Sequence, residues 1–132
     1  MRQDVYSGRL KLLGEEHEET LLAANNYAIS LHRLQRPKEA SSVLRKMMPV
    51  ARRVLGMSHE TTLRIRLTYA RALYKDPAAT PDDLREAVTT LEDTDRTARR
   101  VLGGAHPVTM GIEAALRNAR AALRARETPG SA

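Results

Sequence analysis

Ala51-Arg52-Arg53-Val54-Leu55-Gly56 recurs letter for letter as Ala98-Arg99-Arg100-Val101-Leu102-Gly103, 47 residues later. A looser copy, Arg9-Leu10-Lys11-Leu12-Leu13-Gly14, precedes the first by 42 residues. Each glycine is followed by a related phrase: His17-Glu18-Glu19-Thr20-Leu21, His59-Glu60-Thr61-Thr62-Leu63 and His106-Pro107-Val108-Thr109-Met110. Self-similarity at such a period is the mark of a repeat architecture, in which one supersecondary unit stacks on the next. The longer spacing is absorbed by Lys75-Asp76-Pro77-Ala78-Ala79-Thr80-Pro81, where added loop length costs little.

Working outward, each unit reads as two helices. Leu21, Ala24, Ala28 and Leu31 form an apolar stripe at helical spacing, repeated as Leu63, Leu67, Ala70 and Leu73 or Tyr74. The second helix carries Ala40, Leu44, Met47/Met48, Ala51 and Leu55, matched by Ala87, Leu91, Thr94, Ala98 and Leu102. Thr80-Pro81-Asp82-Asp83 has the composition of an N-cap followed by Pro at N1 and a carboxylate at N3. Gly56 and Gly103 suit the left-handed position that closes a helix. Gln35-Arg36-Pro37 marks the turn before the first of these second helices, and the three histidines fall at or beside N-caps. Pro49 removes a hydrogen bond in mid-helix and predicts a kink. The expected register is a partial helix over 4–13, a first repeat over 18–55, a second over 60–102 and a terminal helix over 107–127. Residues 1–127 thus form one all-α domain of about six helices, and 128–132 a disordered tail. Because the register starts and stops in mid-repeat, we expect a fragment of a longer protein, capping by the odd helices, or a homodimer joined through exposed terminal helices.

Composition narrows the chemistry. The 132 residues contain no Cys, which excludes disulfide frameworks, thiolate metal sites and Cys nucleophiles. Hydrophobic residues make up 42% but aromatics only 3%, so the core must be built from aliphatic side chains packed between helices. No apolar run approaches the ~20 residues of a membrane span, and the N-terminus lacks a signal-peptide apolar region, which together favour a cytoplasmic protein, or a nuclear or organellar one whose targeting segment was trimmed. The formal charge of +6 could attract a polyanion. However, acids bunch at Glu15, Glu16, Glu18 and Glu19, and again from Asp82 to Asp95. The scarcity of aromatics disfavours base stacking by single-stranded nucleic acid. An RNA or membrane surface using Arg117, Arg120, Arg124 and Arg126 stands as an alternative.

Two constellations invite a catalytic or metal reading. His17, His59 and His106 lie one per repeat, roughly 10 Å apart, too far to share an ion. The carboxylates Glu15, Glu16, Glu18 and Glu19 complement a helix dipole without any reaction. Met47 and Met48 read as core or dimer contacts rather than ligands. No nucleophile elbow, phosphate-binding glycine loop or His-Glu-x-x-His is present, so no metal and no cofactor are expected.

The pattern Leu-Gly-x-x-His-x-x-Thr-Leu, followed by Asn25-Asn26-Tyr27-Ala28 and Lys38-Glu39-Ala40, resembles the tetratricopeptide repeat of kinesin light chains and their relatives. The resemblance covers about residues 9–126. It implies a right-handed solenoid in which Tyr27, Ala28 and Leu31 pack within the first helix and Ala40 marks a helix crossing. The second copy keeps Tyr69, Ala70, Leu73 and Ala87. The third keeps Leu102, Gly103, His106 and Thr109, with Arg117 where Ala28 stands in the first. The resemblance further implies a concave, peptide-holding groove lined by the first helices. Carried over residue by residue, the peptide-binding candidates are Asn25, Asn26, Ile29 and Arg33 in the first pair, and Arg64, Thr68, Arg71 and Lys75 in the second. Asn offers both a donor and an acceptor to a peptide backbone, and Arg a fork to carboxylates. The Lys/Asn clamp for a C-terminal carboxylate is not reproduced, since Asn25 and Leu67 stand where it would begin.

The sequence therefore leads us to expect a non-catalytic protein-interaction module or scaffold with a peptide or protein partner. A second possibility is the C-terminal helical domain of a larger enzyme such as a SET/MYND-type methyltransferase, whose helical repeat contains a phrase like Gly103 to Pro107. The zinc cysteines of such an enzyme would then lie outside these residues.

Overall fold

The computed structural model of the chain describes residues 18–127. Within them lie five helices and no strand: α1 (Glu18–Arg33), α2 (Pro37–Val54), α3 (Glu60–Tyr74), α4 (Pro81–Val101) and α5 (Pro107–Glu127). The expected helix over 4–13 and the tail over 128–132 lie outside the described residues. Each helix packs on the next in the chain, and further extensive contacts join α1 to α3 and α3 to α5. α3 is thus surrounded by the other four, which explains why Leu63, Ile65, Leu67, Tyr69, Ala70, Ala72 and Leu73 are all buried on it.

The stripes read from the sequence face this core. Leu21, Ala24, Ala28 and Leu31 of α1 are buried, as are Ala40, Leu44, Met47 and Ala51 of α2 and Ala87, Leu91 and Ala98 of α4. Each fully buried leucine contributes about 1.5–3 kcal/mol of transfer free energy. The alanines do something else: Ala24, Ala28, Ala40, Ala51, Ala70, Ala87, Ala98 and Ala119 have no exposed surface, so their small side chains set how closely helices approach. Met48, Leu55 and Leu102 are only partly buried against this cluster. Thr94 sits in the core because its hydroxyl donates to the carbonyl of Thr90 at 2.6 Å, leaving no unsatisfied polar atom.

Helix ends follow local chemistry. Thr80 and Asp83 form a reciprocal capping box at the start of α4, with Pro81 in the first turn. Gly56 (φ +94°) and Gly103 (φ +88°) take the left-handed conformation after α2 and α4. The end of α1 uses the same device with a different residue. Gln35 has φ +61°, its N–H donates to the His32 carbonyl at 3.0 Å, and the Arg36 N–H donates to the Leu31 carbonyl at 2.8 Å, a Schellman closure without glycine. α2 runs through Pro49, which lies on its exposed side where water can satisfy the carbonyl of Arg45.

Two polar clusters tie α3 to its neighbours. Tyr69, 1% exposed, accepts from Arg45 Nη2 at 2.7 Å and donates to Glu86, joining α2, α3 and α4. Arg66, whose side chain is 12% exposed, donates to Asp93 at 2.7 Å. That guanidinium holds the Asp93 carboxyl below the usual carboxylate range.

Candidate functional site

Five of the eight peptide-binding candidates come together. Asn25 and Ile29 of α1 and Arg64, Thr68 and Arg71 of α3 line one open groove of about 290 Å³. Helical spacing puts Arg64, Thr68 and Arg71 on one face of α3 (i, i+4, i+7), and Asn25 and Ile29 on the facing side of α1. Ile29, Leu67 and Val108 supply apolar lining among these polar groups. The far wall comes from the first turns of α5, through Pro107, Val108 and Gly111.

The polar groups of this groove differ in how well they are satisfied. Thr68 donates to the carbonyl of Arg64 at 3.0 Å, and Arg64 is held by Glu60 at 2.6 Å. Asn25 is only 7% exposed, yet its side-chain carbonyl Oδ1 is buried with no hydrogen-bond partner. A buried acceptor left without a donor costs about 1–3 kcal/mol. Arg71 makes no ion pair or side-chain hydrogen bond among the described residues. A Cβ placed on Gly111 would meet Arg71 Nη2 and Leu67 Cδ2, each at 3.6 Å, so the missing side chain leaves the Arg71 guanidinium beside the α5 backbone.

The other three candidates lie elsewhere. Asn26 is exposed and off this lining, because one residue along a helix turns the side chain by ~100°. Arg33 is exposed at the last position of α1. Lys75 walls a separate cavity of about 530 Å³ with His32, Gln35, Pro37, Asp76 and Pro77. Its neighbour His32 has a buried Nδ1 with no partner. Burial, then the charges of Lys75 and Arg71, lower the pKa of His32 below its ordinary value of 6.5.

The contribution of α5 was not read from the sequence, although its signal was there. Gly111 lies 47 residues after Arg64, the spacing that separates the repeated Ala-Arg-Arg-Val-Leu-Gly phrases. Carrying the groove positions into the third copy would have found it.

His59 and His106 act as helix caps. Nδ1 of His59 accepts the Thr61 N–H at 3.1 Å and Nδ1 of His106 accepts the Val108 N–H at 3.1 Å. Glu18 accepts a hydrogen bond from the Thr61 hydroxyl at 3.1 Å. His17, Glu15 and Glu16 lie outside the described residues. No group of three metal-capable side chains occurs among the described residues. On α5, Arg117 pairs with Glu113 at 3.2 Å, Arg120 with Glu92 at 2.9 Å, and Arg126 donates to the carbonyl of Ala79. No helix among the described residues is long and apolar enough to cross a membrane.

Comparison of the chain with family models, with curated proteins and with solved structures gives no match. The functional reading therefore stands on the repeat and on the groove itself.

Proposed function

We propose that this chain is a non-catalytic protein-binding module, built as a tetratricopeptide-like solenoid, that holds an extended peptide segment in the groove between α1, α3 and the start of α5. The repeat supports the solenoid part of this reading. α1, α3 and α5 begin at Glu18, Glu60 and Pro107, in step with the sequence copies. The observation that carries the binding part is the convergence of Asn25 and Ile29 of α1 with Arg64, Thr68 and Arg71 of α3 on one groove. Asn25 Oδ1 is buried without a partner; a turn of the side chain brings that acceptor to an incoming N–H, and a peptide backbone presents one at every residue except proline. Arg71 beside it supplies donors without an acceptor, so the segment carries a carboxylate or a free carbonyl there. Leu67, Ile29 and Val108 offer apolar area for a side chain in between.

Selection of peptides from a random displayed library on the full chain tests the reading. Selected peptides are expected to lose about tenfold or more in affinity with Asn25→Ala or Arg71→Ala, the size of one buried polar contact. Unchanged affinity in both variants, with folding intact by circular dichroism, would overturn it.

A further inference from the structure

Gly111 weakens its helix without a structural reason for doing so. It is the fifth residue of the 21-residue α5, past the first turn. Glycine inside a helix loses more chain entropy on folding than alanine does. A positive φ or crowding would require it, and neither applies. Among the described glycines only Gly56 and Gly103 take a positive φ. A Cβ on Gly111 would meet Arg71 Nη2 and Leu67 Cδ2 at 3.6 Å, which is ordinary contact. The other two copies of the repeat carry full side chains at this register, Leu22 in α1 and Arg64 in α3. What the missing side chain does change is the groove. Gly111 forms part of its far wall, and a side chain there would stand beside the half-buried Arg71 guanidinium. No carboxylate lines that space, and Arg71 makes no ion pair among the described residues.

We infer, resting on the reading of this groove as a peptide site, that Gly111 is a specificity-determining residue: its bare backbone lets the main chain of the bound segment lie against α5, where a main-chain carbonyl accepts from Arg71 Nη2. Close approach of a second backbone is what glycine allows, because any Cβ holds a passing chain off by the width of a methyl group. A carboxylate on a flexible stem makes a different demand. It reaches a half-buried guanidinium from the mouth of the groove and tolerates one methyl on the wall. A bare wall beside an unpaired guanidinium therefore favours a main-chain acceptor over an acidic side chain. Such carbonyls recur at every residue of a peptide. At Arg71 the groove thus reads the path of the segment and not its side-chain charge.

The test measures peptides selected on the full chain against Gly111→Ala, with thermal unfolding alongside. We expect the melting midpoint to rise by about 2–4 °C, because alanine is the better helix residue. Affinity should fall about fivefold or more, the effect of overpacking a close contact. An amide-to-ester scan of one selected peptide then locates the carbonyl. One ester, a weaker acceptor, should cost the wild type about threefold or more and cost Arg71→Met nothing further. Replacing acidic residues of the peptide by their amides should change the affinity little. Unchanged affinity in Gly111→Ala, or an Arg71 contribution that follows a peptide carboxylate and no ester, overturns the inference. A Gly111→Ala variant less stable than the wild type overturns it too, since the fold itself would then need the glycine. If Asn25→Ala and Arg71→Ala weaken the peptide while Gly111→Ala does not, only the main-chain path fails. If none of the three weakens it, or no peptide is selected, the groove reading fails as well.

Discussion

Nε2 of His106, at the start of α5, lies 3.6 Å from the carboxylate of Glu60, at the start of α3. His59 and Glu18 repeat the relationship one unit earlier, at 3.9 Å. Each histidine thus works twice. Nδ1 caps its own helix and Nε2 faces the first acidic residue of the first helix one unit before. The repeated phrase Gly-x-x-His therefore encodes both a helix start and a link between units.

Removing that cap has a defined cost. His59→Ala and His106→Ala should each destabilise the chain by about 1 kcal/mol, the usual worth of an N-cap. His59→Asn should recover most of the loss, because Asn accepts the same backbone N–H. Urea denaturation of the three variants checks this, and an Ala variant as stable as the wild type would contradict it.

The hydroxyl of Tyr69 is the polar hub of the core. Burial first, and then the hydrogen bond to Glu86, push its pKa up to about 12 from 10.0. A group whose folded pKa is raised favours the folded state below its unfolded pKa. That contribution disappears as pH rises from 10 towards about 12. We expect Tyr69→Phe to lose about 1 kcal/mol at neutral pH, since Arg45 and Glu86 recover solvent. The variant should also lose less stability than the wild type across that alkaline interval. Denaturant midpoints measured at pH 9 and near pH 11 would show the difference.

Gln35 and Gly56 allow the backbone cost of a left-handed residue to be read in both directions. Gln35→Gly should stabilise by about 1 kcal/mol and Gly56→Ala should destabilise by about 1–2 kcal/mol. A Cβ on Gly56 meets nothing within 4 Å, so its effect would be conformational and not steric. Thermal unfolding of the two variants gives both signs.

His32 contributes to the acid side of the stability curve. Its folded pKa lies below the ordinary 6.5 because of burial, then Lys75 and Arg71. The unfolded chain therefore binds the proton more readily, and stability declines as pH falls through 6.5 towards the folded value. His32→Gln should remove that part of the decline, which a pH series of urea midpoints would reveal.

The helices were legible because burial at helical spacing leaves a compositional record. Leu21, Ala24, Ala28 and Leu31 could hardly be read otherwise, and Thr80-Pro81-Asp82-Asp83 spells its cap. The closure at Gln35 was not legible, since glutamine carries no local preference for positive φ and the two backbone hydrogen bonds of the closure accompany it there. The groove was half legible. Asn25 and Asn26 are equivalent as letters, and only packing against α3 makes one buried and the other exposed. Arg71, Ile29 and Thr68 followed from the resemblance, carried over residue by residue, whereas His32 emerged only with the turn that places it beside Lys75.

The most direct test of the binding module is to locate a selected peptide on the chain by NMR chemical-shift mapping. We expect the largest changes at the side-chain amide of Asn25 and at Ile29, Thr68, Arg71, Val108 and Gly111. Shifts confined to the outer surfaces of α2 and α4, with the Asn25 amide unmoved, would contradict the account.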